Sequence, residues 1–177
     1  MASAKALLKY RGETFLDRLV GLFAERTDPV IVVLGAGAGE IRAAARRPAS
    51  FVLNPGYESG QLSSLQCGLR AVPAAAEGVL LTLVDHPAVA GSTLDALLGA
   101  DAGGLVRVPR YRAKRGHPIW FHRSLVGEFL APPAGATARD IVAAHVSETV
   151  YLDLDDPGVT ADIDDPAGYR ELIGGRL

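Results

Sequence analysis

Two short apolar runs, Val30–Leu34 and Val79–Val84, constrain this chain more than any other feature. Each is short for a buried helix and too continuous for a strand with one wet face. Each therefore predicts a strand covered on both sides, the pattern of a parallel sheet held between helices. The flanking segments have helical spacing. Phe15, Leu16, Leu19, Val20 and Phe23 share one face of a helix over Thr14–Ala24, with Thr14 and Asp17 placed as a variant capping box. Further helices are predicted over Glu40–Arg47, Ser63–Val72 and Thr137–Ala144, from Ser92 with an S-x-x-D cap on Asp95, and over Pro166–Ile173. Short strands are predicted at Phe51–Leu53, Pro118–His122 and Val150–Leu152. This alternation is α/β: a three-layer sandwich around a mainly parallel, Rossmann-like sheet, with a second half of mixed strand direction. Ligands of such sheets bind at the carboxyl ends of the strands.

The 177 residues suit one domain spanning 1–177. Eighteen Lys and Arg against twenty Asp and Glu leave a net charge of -2, which argues against a nucleic acid or an anionic membrane as partner. Cys67 is the single cysteine, so neither an internal disulfide nor a cysteine zinc site is expected, and a reducing cytoplasm fits. No apolar stretch approaches the roughly 20 residues of a membrane span, so a soluble, cytoplasmic protein is expected.

Five segments carry candidate chemistry. The glycine-rich turn after Leu34 sits where a dinucleotide fingerprint belongs. Its spacing fails: aligning Gly35 and Gly37 with the first two glycines puts Glu40 at the third. A flexible strand-to-helix turn is the better reading. Asp85 follows the run Val79–Val84 directly and is followed by His86 and Pro87, which puts a carboxylate at a strand end. A hard oxygen there suits Mg²⁺ carrying substrate phosphates, and it equally suits a turn cap. Asp162 and Asp164 are two apart and point the same way if extended, offering a second magnesium contact; the alternative is a solvated turn, with Asp165 capping the helix that Pro166 opens. Asp153, Asp155 and Asp156 read as turn residues. Asn54, Ser63 and Ser64 surround a helix start, whose free amides could hold a nucleobase carbonyl, a ribose or a phosphate, or whose serines simply cap it. The basic segment Arg107–Arg115 offers phosphate contacts or a solvated hairpin, and His117 after it shows no metal-ligand spacing. Cys67 reads as a packed small side chain.

In order along the chain, KALLKYRG at Lys5–Gly12, NPGYESGQLSSLQCG at Asn54–Gly68, VDHP at Val84–Pro87, RGHP at Arg115–Pro118 and DIDDP at Asp162–Pro166 resemble one family. It is the molybdenum cofactor cytidylyltransferase-like (MobA-like) NTP transferases, and the resemblance covers nearly the whole chain. It implies transfer of a nucleoside monophosphate, CMP before GMP, from an NTP to molybdopterin or a similar phosphorylated acceptor, with release of pyrophosphate. By this resemblance Asp85 is the magnesium aspartate, Asp162 and Asp164 form the second acidic site with Asp164 favoured, and Lys5 binds phosphate. Asn54, Ser63 and Ser64 lie close to the nucleoside, and His117 lies near the acceptor. A molybdoenzyme receiving the cofactor is the further partner implied. Family members begin with a strand and a glycine-rich loop ahead of the lysine, whereas here only Met1–Ala4 precede Lys5. Met1 matches the loop's methionine, so the first strand is expected to be missing: either translation starts upstream, or the neighbouring strands close up, or the chain is a degenerate relative. The alternative reading is a noncatalytic nucleotide- or pterin-binding relative that keeps the pocket without the phosphate loop.

Overall fold

The computed structural model describes residues 5–99 and 104–175. Met1 and the residues to Ala4 lie outside that range. A hairpin of β1 (Lys9–Tyr10) and β2 (Glu13–Thr14) leads into α1 (Phe15–Ala24). Thr14 caps α1 by accepting from the Asp17 amide at 3.0 Å, and its hydroxyl donates to the Asp17 carboxylate at 2.9 Å. β3 (Ile31–Leu34), α2 (Ala38–Ala44) and β4 (Ser50–Leu53) form a β–α–β unit whose strands pair in parallel, with Ile31 opposite Ser50 and Leu34 opposite Leu53. After α3 (Gln61–Leu69), β5 (Gly78–Leu81) belongs to a different sheet.

That second sheet has five strands. β5 pairs with β8 (Ile119–His122), β8 with β6 (Val106–Tyr111), and β6 with β7 (Lys114–Arg115), all antiparallel, while β9 (Thr149–Asp153) joins β6 in parallel. Helices α4 (Gly91–Gly99), α5 (Val126–Leu130), α6 (Ala138–Ala144) and α7 (Pro166–Ile173) complete the α/β architecture. The expected α/β fold of Rossmann-like type is present, with the mixed strand direction expected of the second half: β3–β4 is a parallel pair, and β5 belongs to the mixed sheet.

Other boundaries shift for physical reasons. The strand expected over Val79–Val84 ends at Leu81, opposite Ile119, because Pro118 before Ile119 has no amide to extend the ladder. The helix expected from Ser63 opens two residues earlier at Gln61, and Gly60, at φ 98°, holds the N-cap position that only a residue without a side chain adopts readily. Gly37, at φ 69°, does the same for α2, which starts at Ala38 rather than Glu40. Ser92 lies inside α4, and Asp95 pairs with Arg26, just past the end of α1 (Nε to Oδ1 2.7 Å), instead of capping. The cap of α4 is Asp156, 63 residues beyond Thr93; it accepts from the Ala90 amide at 2.9 Å and the Thr93 hydroxyl at 2.6 Å.

The core lies along α1 and under the mixed sheet. Leu16 and Val20 of α1 pack with Val30, Val32 and Leu34, while Leu19 and Phe23 pack with Leu80, Val84, Val89 and Leu94. One helix thus lies under both sheets. Val106, Phe121, Leu125, Phe129 and Ile141 form the core on the far side, with Leu65 and Leu69 of α3 against it. Ile163 is 1% exposed and seals the other end against Phe15 and Leu172.

Candidate active site

Three segments far apart in sequence meet past the end of β5. Val84 packs with Leu16, Leu19 and Ile163, so the turn that follows it is pinned from three directions and Asp85 is presented at its tip. Arg18 of α1 secures the same turn by donating to the Pro87 carbonyl at 2.6 Å. The segment Asp162–Asp164 is stitched to it by main chain: the Ile163 amide donates to the Asp85 carbonyl at 2.9 Å. Because Ile163 is buried, its neighbours Asp162 and Asp164 both project outward. Ala6, buried against the Leu34 cluster, brings in Lys5 as the third part.

The Lys5 ammonium lies between two carboxylates, 2.5 Å from Asp164 Oδ1 and 3.7 Å from Asp85 Oδ2. Burial disfavours its charge, but the hydrogen bond to Asp164 and the attraction of Asp85 and Asp164 outweigh burial, so the amine is held charged above its ordinary range. The same hydrogen bond, then the lysine charge, pulls Asp164 below the usual carboxylate range. Asp162 lies on the same outward-facing side of this segment as Asp164.

Beneath the carboxylates lie two histidines. His86 is 6% exposed, its Nε2 is 3.8 Å from Asp85 Oδ1, and its ring stands 5.0 Å from that of His117. Burial pushes both imidazoles below their ordinary range; for His86 the carboxylates oppose this, and for His117 the proximity of His86 reinforces it. Each Nδ1 is buried without a hydrogen-bond partner, as is Asp85 Oδ1. His117 is thus brought to the site, half-buried against His86. His86 was not singled out from sequence; its adjacency to Asp85 in VDHP is the signal that pointed to it.

Asn54, Ser63 and Ser64 form a separate cluster at the end of β4. The buried Asn54 amide donates to both hydroxyls, at 2.9 Å and 3.0 Å, while its carbonyl oxygen accepts from the Gly56 amide at 3.0 Å. Ser63 in turn donates to the Gly60 carbonyl at 2.8 Å. These groups are spent on shaping the loop 54–60, and no hydrogen bond among the described residues joins them to Lys5, Asp85 or Asp164. The basic segment forms the β6–β7 hairpin, where Arg110 pairs with Asp153 at 2.7 Å. Cys67 is half-buried, with its thiol 3.4 Å from the Leu53 carbonyl.

The model of the MobA-like NTP transferase domain matches residues 1–150. The chain belongs to that family. Its structure is similar to that of Rv0371c from Mycobacterium tuberculosis H37Rv, with 29% identity and a TM-score of 0.84 over 98% of this chain and 90% of that one. A manganese complex of Rv0371c matches at 29% identity and TM-score 0.82, over 98% of this chain and 93% of that one. Likeness of fold extends to a nucleotidyl transferase from Methanothermobacter, with 21% identity and TM-score 0.82 over 97% of this chain and 84% of that one. Among curated proteins, none matches the chain. Membership makes this a nucleotidyltransferase-type α/β protein whose family works on nucleoside triphosphates. Among the described residues no helix is long and apolar enough to cross a membrane.

A divalent cation is implied by the family. Among the described residues no group of three or more His, Cys, Asp or Glu is placed to hold a metal directly. The donors that do converge, Asp85 with an unpartnered buried oxygen and Asp164 across the lysine amine, are hard carboxylates. They fit a cation of the Mg²⁺ or Mn²⁺ kind that keeps most of its own waters.

Proposed function

We propose that this protein transfers a nucleoside monophosphate, CMP in preference to GMP, from an NTP to molybdopterin or a similar phosphorylated acceptor, releasing pyrophosphate. The observation that carries this reading is the Lys5 ammonium set between the carboxylates of Asp85 and Asp164. That arrangement holds positive charge and anionic ligands within one hydrogen-bonding radius, as a triphosphate with its cation requires.

In this reading Asp85 and Asp164, with Asp162 beside them, hold Mg²⁺, which when bound neutralises phosphate charge. Lys5 stays protonated and binds phosphoryl oxygens. An oxygen of the acceptor phosphate forms a bond to the α-phosphorus while the bond from the α-phosphorus to the bridging oxygen of pyrophosphate breaks. The acceptor oxygen is already ionised, so no base is needed and positioning with charge stabilisation supplies the rate. His86 and His117 form the floor on which Asp85 rests, and Asn54, Ser63 and Ser64 shape the loop against which the nucleoside lies.

The test is turnover of labelled CTP with Mg²⁺ and molybdopterin, followed by release of pyrophosphate. Asp85→Ala and Lys5→Ala are each expected to lower kcat by about 10²–10³, the usual loss when a group that stabilises transition-state charge is removed. Equal turnover by wild type and Asp85→Ala would remove Asp85 from the mechanism.

A further inference from the structure

No step of the proposed reaction uses the β6–β7 hairpin, although its sequence, RYRAKR at 110–115, carries four cations and no acid. Register places Arg110 directly opposite Arg115 on one side and opposite Asp153 of β9 on the other. Residues paired in this way share one face of a sheet, so the three side chains form a row: Arg115, Arg110, Asp153. Asp153 spends both oxygens on Arg110, accepting from Nε at 3.0 Å and from Nη2 at 2.7 Å. Among the described residues no carboxylate pairs with Arg115, and Arg110 Nη1 makes no hydrogen bond.

Like charges directly opposite each other destabilise a strand pair. Here both guanidiniums gather on one ring: Arg110 lies 5.0 Å and Arg115 6.0 Å from the Tyr151 centroid. A guanidinium so stacked keeps N–H groups on its edge for an anion. The turn is strained too, since Arg112 and Ala113 close it at φ 49° and 66°, where glycine or asparagine is the usual choice. Repulsion and strain kept together at one place are the mark of a ligand clamp. The row stands at the site's end of the sheet. β5 and β6 are both antiparallel to β8, so they run the same way, β5 toward Asp85 and β6 into the hairpin. Two residues past Arg115, the His117 ring lies 5.0 Å from that of His86, the neighbour of Asp85.

We infer that Arg110 and Arg115 form a fork that binds a phosphate monoester dianion. Resting on the transfer proposed above, this is the phosphate of the acceptor, while Lys5 serves the NTP. A carboxylate offers two oxygens and is filled by one guanidinium, as Asp153 is by Arg110. A phosphate monoester offers three terminal oxygens and two charges, which suffice for both arginines. With two oxygens on the fork, the third remains free as the nucleophile. The anion also removes the repulsion between the opposed arginines, so the pair is stabilised by the ligand that it binds.

The test separates the fork from the reaction. Inorganic phosphate is titrated into the full chain at constant ionic strength while the arginine Nε–H resonances are followed. Those of Arg110 and Arg115 are expected to shift to saturation, and that of Arg112 at the tip to stay in place. Arg115→Gln is expected to weaken phosphate binding about 10- to 100-fold, the loss of a charged hydrogen-bonding partner. Arg115→Lys, which keeps the charge and loses the planar fork, is expected to weaken it as well. Absence of a saturable shift, or equal affinity in wild type and Arg115→Gln, would overturn the fork. In turnover with CTP and molybdopterin, Arg115→Gln is expected to raise KM for molybdopterin by the same about 10- to 100-fold and to leave KM for CTP in place. A rise in KM for CTP instead would overturn the assignment to the acceptor and give the fork to the NTP. Wild type that binds phosphate at the fork without turning over CTP would refute the transferase reading, and the acceptor assignment with it, while the fork itself stands.

Discussion

Replacing Asp156 with alanine removes the acceptor of three hydrogen bonds at once. Oδ2 takes the Ala90 amide at 2.9 Å and the Thr93 hydroxyl at 2.6 Å, and Oδ1 takes the Gly158 amide at 2.9 Å. Thr93 and Gly158 are buried, so their orphaned donors cost about 1–3 kcal/mol each; the Ala90 amide is half-buried and recovers part of its loss from water. The total is about 2–6 kcal/mol, centred near 4, with the loss of the α4 cap included. Against a native stability of about 5–15 kcal/mol this leaves a marginal protein. Urea denaturation followed by circular dichroism reads the change as a lower midpoint at constant slope, and Thr93→Val, which removes one donor together with its bond, is expected to cost about 1 kcal/mol. A loss below about 1 kcal/mol for Asp156→Ala would refute the reasoning, since two orphaned buried donors alone require more.

Asp17→Asn is expected to cost about 1–3 kcal/mol at pH 7, because the buried carboxylate accepts from the amides of Arg46 and Arg47 at 2.8 Å and 3.2 Å and from the Thr14 hydroxyl. Burial opposes its charge, but these bonds outweigh burial and lower its folded pKa, so the contribution is complete above the ordinary carboxylate range and vanishes as pH falls through the depressed value. Wild type and variant are therefore expected to converge in stability in acid, and a gap independent of pH would contradict this origin. Gly116→Ala is expected to destabilise by about 1–3 kcal/mol, since a Cβ there collides with the Val159 carbonyl that accepts from the His117 amide; an unchanged urea midpoint would show that the segment 157–160 yields freely.

Features set by neighbours in sequence were legible, and those set by distant partners were not. The cap at Thr14 and the Asp165 cap before Pro166 each involve groups within a few residues, and both are present. Asp156 read as a turn residue because its partners on Ala90 and Thr93 are more than sixty positions away. Apolar continuity identified β3 and β5 as strands between helices, although Ile31–Val33 and Gly78–Leu81 are only half-buried. Of the site, the outward pair Asp162 and Asp164 followed from alternation about Ile163, and the meeting of Lys5 with Asp85 and Asp164 is where the structure brings the motifs together. Asn54, Ser63 and Ser64 were legible as a cluster, while their mutual hydrogen bonding emerges only in three dimensions.

The link between the two acidic segments is made by main-chain atoms, the Ile163 amide and the Asp85 carbonyl. Side-chain replacement at 85, 162 or 164 leaves that link untouched, so the distance across the site is written into the backbone and survives a change of functional group. Within the proposed reading, the spacing between the two acidic segments is thus held by atoms that every residue at these positions shares, whatever its side chain.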